Sequence, residues 1–178
     1  MIGLLVLFAS LIVAGWLVAY MGSQKPVSAA HPLNQADALK LAGDLEGAIA
    51  IYRQSDDPAA KEGIALCLAH LGRDLSEARR LMEWMIANHP QIQEFQALGL
   101  AYILLAQGDR DAAMRLYEDN VVLLETRFRD DYTDPDPSLA ETLWMYATLA
   151  EESGDIVRAA ALRKKISAWA PGTYFDRR

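Results

Sequence analysis

The residue types that carry most protein chemistry are sparse in this chain. Its three histidines, His31, His70 and His89, stand far apart, and none belongs to a paired-ligand motif such as HExxH. His70 follows Cys67, the single cysteine, by three residues, so the two share a helix face. Two such ligands do not make a metal site, and His70 reads as a surface residue beside a turn. Asp130, Asp131, Asp134 and Asp136 offer the oxygen ligands that calcium takes. They lack the central glycine and distal glutamate of an EF-hand loop, and Pro135 and Pro137 among them read as loop rigidifiers. Neither a GxGxxG motif nor a P-loop is present. No residue set therefore points to catalysis, and the reading predicts no enzyme, no cofactor and no metal. A lone cysteine excludes an intramolecular disulfide framework and suits a reducing compartment.

From Ile2 to Met21 the chain carries no charged residue, histidine, asparagine or glutamine. Roughly 20 apolar residues of helix are what the bilayer's hydrocarbon core requires. Residues 1–21 are accordingly expected to form a single transmembrane helix. Trp16 and Tyr20, four apart on one face, would sit at the membrane interface. A cleaved signal peptide is the competing reading, with Val27-Ser28-Ala29 as a small-residue cleavage site. Against it, no Lys or Arg precedes the apolar run, which exceeds the usual apolar core of a signal peptide. Residues 22–32, with two prolines and no apolar periodicity, read as a linker. Lys25 and Lys40 follow the span and none precedes it, so the positive-inside rule favours a cytoplasmic soluble domain at a bacterial inner membrane, with the periplasm as the alternative.

Residues 33–178 suffice for one domain with a real core. The formal net charge is -7, and none of it lies in the apolar segment. An acidic chain without a Lys/Arg cluster argues against nucleic acid and anionic lipid as partners.

Ala, Leu, Glu, Arg and Met dominate this part, and no stretch alternates for long enough to make a strand, so the fold class is all-α. Gly43-Asp44, Gly72-Arg73-Asp74, Gly108-Asp109 and Gly154-Asp155 interrupt apolar-periodic segments at intervals. Glycine suits the left-handed position that ends a helix, and aspartate caps the next one. Each pair predicts the turn of a helical hairpin. Ala36, Ala65, Ala101 and Ala147 each lie seven residues before a turn glycine. Ala48, Ala78, Ala113 and Ala159 follow the turns, and Tyr52, Met82 and Tyr117 stand four beyond the first three. Pro90 and Pro171 close two of the units.

These residues resemble the tetratricopeptide repeat, a helix–turn–helix unit of about 34 residues with a small alanine, an aromatic four later and a closing proline. The likeness spans residues 33–171, about three to four units, and predicts a helical-hairpin solenoid after the transmembrane helix. Ile92 to Leu124 matches best. Departures are the extra residue in the second turn, Pro58 at an unexpected spacing, Arg163 where a large apolar residue is usual, and an insertion over 127–138. An irregular helical bundle is the alternative.

The resemblance implies a concave partner-binding face lined by the first helix of each unit. It would comprise Leu33, Asp37 and Lys40, then Glu62, Leu66, Ala69 and His70, then Phe95, Leu98, Tyr102 and Leu105, and finally Glu141, Trp144, Thr148, Glu151 and Glu152. Phe95, Tyr102 and Trp144 would either anchor a partner, as large aromatics do, or fill core. Trp84 and Met85, beside Met82, read as core. Glu141, Glu151 and Glu152 would favour a basic or amphipathic helix. The functional expectation is a membrane-tethered protein–protein interaction scaffold or assembly factor. The alternative is an accessory subunit of a membrane complex, its span in the interface through Gly15 and Ala19 or Ser10 and Ala14.

Overall fold

The computed structural model describes residues 32–89, 93–127 and 137–178. The chain divides into two units, Met1–His31 and Pro32–Arg178, and all that follows concerns the second. Eight α-helices occur among the described residues: α1 (Pro32–Ala42), α2 (Leu45–Tyr52), α3 (Pro58–Leu71), α4 (Leu75–Asn88), α5 (Gln93–Ala106), α6 (Arg110–Arg127), α7 (Ala140–Glu152) and α8 (Ile156–Trp169). A short 3-10 turn, Pro137–Leu139, leads into α7. Consecutive helices pair as the hairpins α1–α2, α3–α4, α5–α6 and α7–α8, and the first helices of successive hairpins also touch.

Each hairpin turn has the same backbone chemistry. Gly43, Gly72, Gly108 and Gly154 all take positive φ, between 65° and 93°, which a side chain would strain. Their N–H groups donate to the carbonyls of Lys40, Ala69, Leu105 and Glu151, three residues back. The next N–H reaches back five, to Leu39, Leu68, Leu104 and Ala150. This paired arrangement satisfies carbonyls that a helix end leaves orphaned. Asp44, Asp109 and Asp155 then cap the following helices by accepting from the backbone N–H of Gly47, Ala112 and Arg158. The second turn departs, as its extra residue predicts: Asp74 is pushed to φ 47° and makes no side-chain cap.

Small residues let the helices close. Ala36, Ala65, Ala101 and Ala147 are fully buried, as are Ala48, Ala78 and Ala113, and Ala159 is 3% exposed. The bulky partners Tyr52, Met82 and Tyr117 fill the space beside the alanines of α2, α4 and α6. Pro58 begins α3 behind the cap Asp57, so it opens the second hairpin rather than ending the first. Trp84 is exposed rather than core, with the Lys61 ammonium 4.5 Å above its ring, whereas Met82 and Met85 are buried.

One expectation needs correction. No helix among the described residues is long and apolar enough to cross a membrane. The longest, α6, is 18 residues but carries Arg, Asp and Glu along its length. The described fold is thus all-helical without a membrane span, and the expected single-pass inner-membrane architecture is withdrawn. The span assigned to residues 1–21, with Trp16 and Tyr20, the linker 22–32 up to His31, Pro90, and the aspartates Asp130, Asp131, Asp134 and Asp136 lie outside the described residues.

Two substitutions test this packing. A Cβ at Gly63 would lie about 2.5 Å from the Tyr52 ring, so Gly63→Ala should destabilise by roughly 1–3 kcal/mol in urea unfolding. Gln96 is fully buried, and among the described residues neither amide atom finds a partner. Gln96→Leu should therefore raise stability, by about 1–3 kcal/mol, because it removes polar atoms that folding strips of water.

Candidate functional site

The first helices of the hairpins bring their charged residues to one inner face. Lys40 sits in the last turn of α1 and Glu141 in the first turn of α7. Each therefore carries the charge that its helix end favours. The two meet across 101 positions of sequence, with Nζ 2.5 Å from Oε2. The other Glu141 oxygen, Oε1, lies 2.9 Å from His70 Nε2, in the last turn of α3. His70 Nδ1 is 3.2 Å from the Tyr102 hydroxyl of α5 and 3.4 Å from the Arg178 guanidinium. A guanidinium can only donate. The contacts thus match Nε2–H donating to Glu141 and Nδ1 accepting. On the other side of Lys40, Asp37 lies 3.7 Å away and accepts a hydrogen bond from the Tyr52 hydroxyl.

Burial gives this cluster its electrostatics. Burial alone would push the Glu141 carboxyl up, but the Lys40 ammonium and the His70 hydrogen bond outweigh it and hold it at about 2. Burial likewise works to lower Lys40, and the Glu141 carboxylate overrides it, leaving the ammonium above its ordinary value. Lys40 and Glu141 are therefore a locked ion pair. Burial raises the Tyr52 phenol despite the nearby Lys40. Burial, followed by the Glu141 charge, raises Cys67 to about 12, so this fully buried thiol stays protonated and inert.

Beside the pair opens a cavity of about 220 Å³, lined by Asp37, Lys40, Tyr52, Glu62, Phe95 and Glu141 among others. Glu62 has no ion-pair partner among the described residues, and its carboxyl is raised by burial first and by Glu141 second. Three carboxylates thus face one ammonium. Among the described residues no group of three His, Cys, Asp or Glu side chains is placed to hold a metal ion.

The positions assigned to a concave face fall into three sets. Asp37, Lys40, Glu62, Leu66, Phe95 and Glu141 do come together around the cavity. Leu98, Tyr102 and Trp144 also belong to the first helices but are 1%, 7% and 6% exposed, buried by the chain itself instead of open to a partner. Trp144 is covered by the segment after α8, where Phe175 and Arg178 lie against its ring. Glu151 and Glu152 leave the face altogether. Glu151 pairs with Arg163 of α8 and Glu152 with Arg110 of α6. Thr148 spends its hydroxyl on the Trp144 carbonyl. His70, expected at the surface, has a side chain without exposure. What sequence reasoning missed is the part played by Tyr174, Phe175 and Arg178. The only signal was an aromatic pair and arginines just beyond Pro171 and Gly172.

The fold and inner face define a stack of four helical hairpins closed by a buried ion pair. No family model matches the chain, and neither the curated proteins nor the solved structures contain a match.

Removing one partner of a buried ion pair leaves the other uncompensated. Glu141→Ala should cost about 3–5 kcal/mol in urea unfolding, and Lys40→Met combined with Glu141→Leu should recover most of it. Because the folded Glu141 carboxyl lies below its unfolded value, its stabilisation is present above the ordinary carboxyl range. It is lost as pH falls toward 2. The urea midpoint should fall across that window in the parent and fall less steeply in Glu141→Gln.

Proposed function

We propose that this chain is a protein-interaction scaffold of the tetratricopeptide type, which recruits a partner by taking one of its basic side chains into the inner-face cavity. The observation carrying this reading is the charge imbalance there, where among the described lining residues Asp37, Glu62 and Glu141 face the single ammonium of Lys40. Glu141 is already neutralised by Lys40, so the unspent charge is that of Asp37 and Glu62. The size of the cavity fits the same reading. At about 220 Å³ it lies below the roughly 300–1,000 Å³ of small-molecule pockets and suits one long side chain. Tyr52 and Phe95 supply apolar and aromatic walls for its methylene stem.

The titration directions favour binding over catalysis. A catalytic lysine needs its pKa lowered and a catalytic cysteine needs a thiolate, whereas Lys40 and Cys67 are both shifted the other way. The repeated turn–alanine units, the four hairpins and the inner-face convergence support the family resemblance and, with it, an interaction role.

Glu62 tests the reading from two sides. Its raised carboxyl means that folding is favoured at low pH and opposed as pH rises through the folded value. Glu62→Gln should therefore raise the unfolding temperature at pH 7 and give no gain at pH 3. The same substitution should weaken binding of a lysine-bearing amphipathic helical peptide, by about tenfold in titration calorimetry at low salt. Equal affinity of parent and variant for that peptide, or no affinity in either, would remove the basis of the proposal.

A further inference from the structure

Beyond α8 the chain turns at Gly172, with φ 74°, and runs back onto the inner face. The Tyr174 N–H donates to the Leu41 carbonyl at 2.8 Å, and the Tyr174 ring packs over Gly43. Phe175 is 2% exposed, its ring centroid 5.2 Å from that of His70 and 6.2 Å from that of Trp144. The Arg178 guanidinium stacks 4.6 Å above the Trp144 ring and 5.2 Å from Tyr174.

Among the described residues, the Tyr174–Leu41 bond is the one that ties the segment's backbone to the first helices, and its other backbone–backbone bonds are local, from Thr173 to Ala170 and from Arg177 to Thr173. Side chains supply the rest of the hold. On its other side the segment borders an open surface pocket of about 130 Å³ shared with the α8 residues Arg163, Ile166 and Ser167. Trp144, beneath Phe175 and Arg178, keeps a buried indole N–H without an acceptor among the described residues. Buried polar groups are seldom left so.

We propose that residues 171–178 are an intramolecular occupant of a peptide-binding surface formed by Leu41, His70, Tyr102 and Trp144. The partner this surface takes is a protein segment carrying two adjacent aromatic residues followed, three positions later, by arginine. His70 and Trp144 receive the second ring, and the Trp144 face receives the guanidinium through a cation–π contact. A partner segment able to place a carbonyl at the Trp144 indole would gain a hydrogen bond that the chain's own segment does not make. The surface rests on the interaction-module reading but is separate from the Glu62 cavity.

The test uses the full chain and a labelled, end-blocked peptide of sequence Gly-Thr-Tyr-Phe-Asp-Arg-Arg. In Arg178→Glu the guanidinium stack is lost, so exchange of the Tyr174 amide with deuterium should speed up and the peptide should bind at least about tenfold more tightly than to the parent. A peptide with its last arginine replaced by glutamate should not bind. In the parent chain, a large excess of the peptide should by itself speed exchange at Tyr174 while amides of α3 and α5 keep their protection. The proposal is overturned by faster Tyr174 exchange without tighter binding, which makes the segment a structural cap only. It is equally overturned by unchanged Tyr174 exchange in the variant, or by peptide binding that leaves Tyr174 protected. A lysine-bearing helical peptide that still binds in a Glu62-dependent way would show that the cavity reading survives such a failure.

Discussion

The ion pair between Lys40 and Glu141 joins the first hairpin to the last, and the inner face depends on it. A linear stack of hairpins leaves its first and last units apart, since each unit contacts only its neighbours. Here the ends of α1 and α7 are drawn together across 101 residues, and His70 of α3 completes the bridge. Burying two charges is costly and is offset only when the geometry is good and the remaining lone pairs are satisfied. Glu141 meets that condition with one oxygen on Lys40 and the other on His70. The histidine is in turn held by Tyr102.

The network divides the inner face. On one side, toward the first turns of α3, α5 and α7, Glu62 and Asp37 line an open cavity with Phe95 at its wall. On the other, toward the ends of α1 and α3, His70, Tyr102 and Trp144 make an aromatic surface that the segment after α8 covers. The two halves share Glu141 as a common wall. Its carboxylate is neutralised by Lys40, so the unspent negative charge belongs to Asp37 and Glu62. The half beyond it offers ring faces and an imidazole acceptor, which suit a guanidinium by stacking and hydrogen bonding more than by ion pairing.

Local features were legible in the sequence because short-range physics produces them. The four glycines with positive φ end their helices where their spacing implied, and three of the four aspartates cap. The alanines that precede and follow each turn are all buried, as close helix approach requires. Even the exception was visible: one added residue in the second turn costs Asp74 its capping geometry. Side-chain exposure was less legible. Trp84 and His70 were read the wrong way round, one as core and one as surface, because helical position gives a residue's face but not what covers that face. Glu151 and Glu152 share a helix with Glu141, yet Arg163 and Arg110 draw them outward.

By itself, then, the sequence determined the helices, their pairing into hairpins and the small residues at each close contact, all consequences of interactions over a few residues. Tertiary structure decided what the inner face became. Whether Lys40 faces solvent or Glu141, whether Tyr102 and Trp144 are open or covered, and whether Glu62 is ordinary or strained in a cavity all depend on how far the stack curves. That curvature sums small rotations at every helix contact. The contacts of Glu141 with Lys40 and His70 join residues 101 and 71 positions apart, which no local pattern encodes.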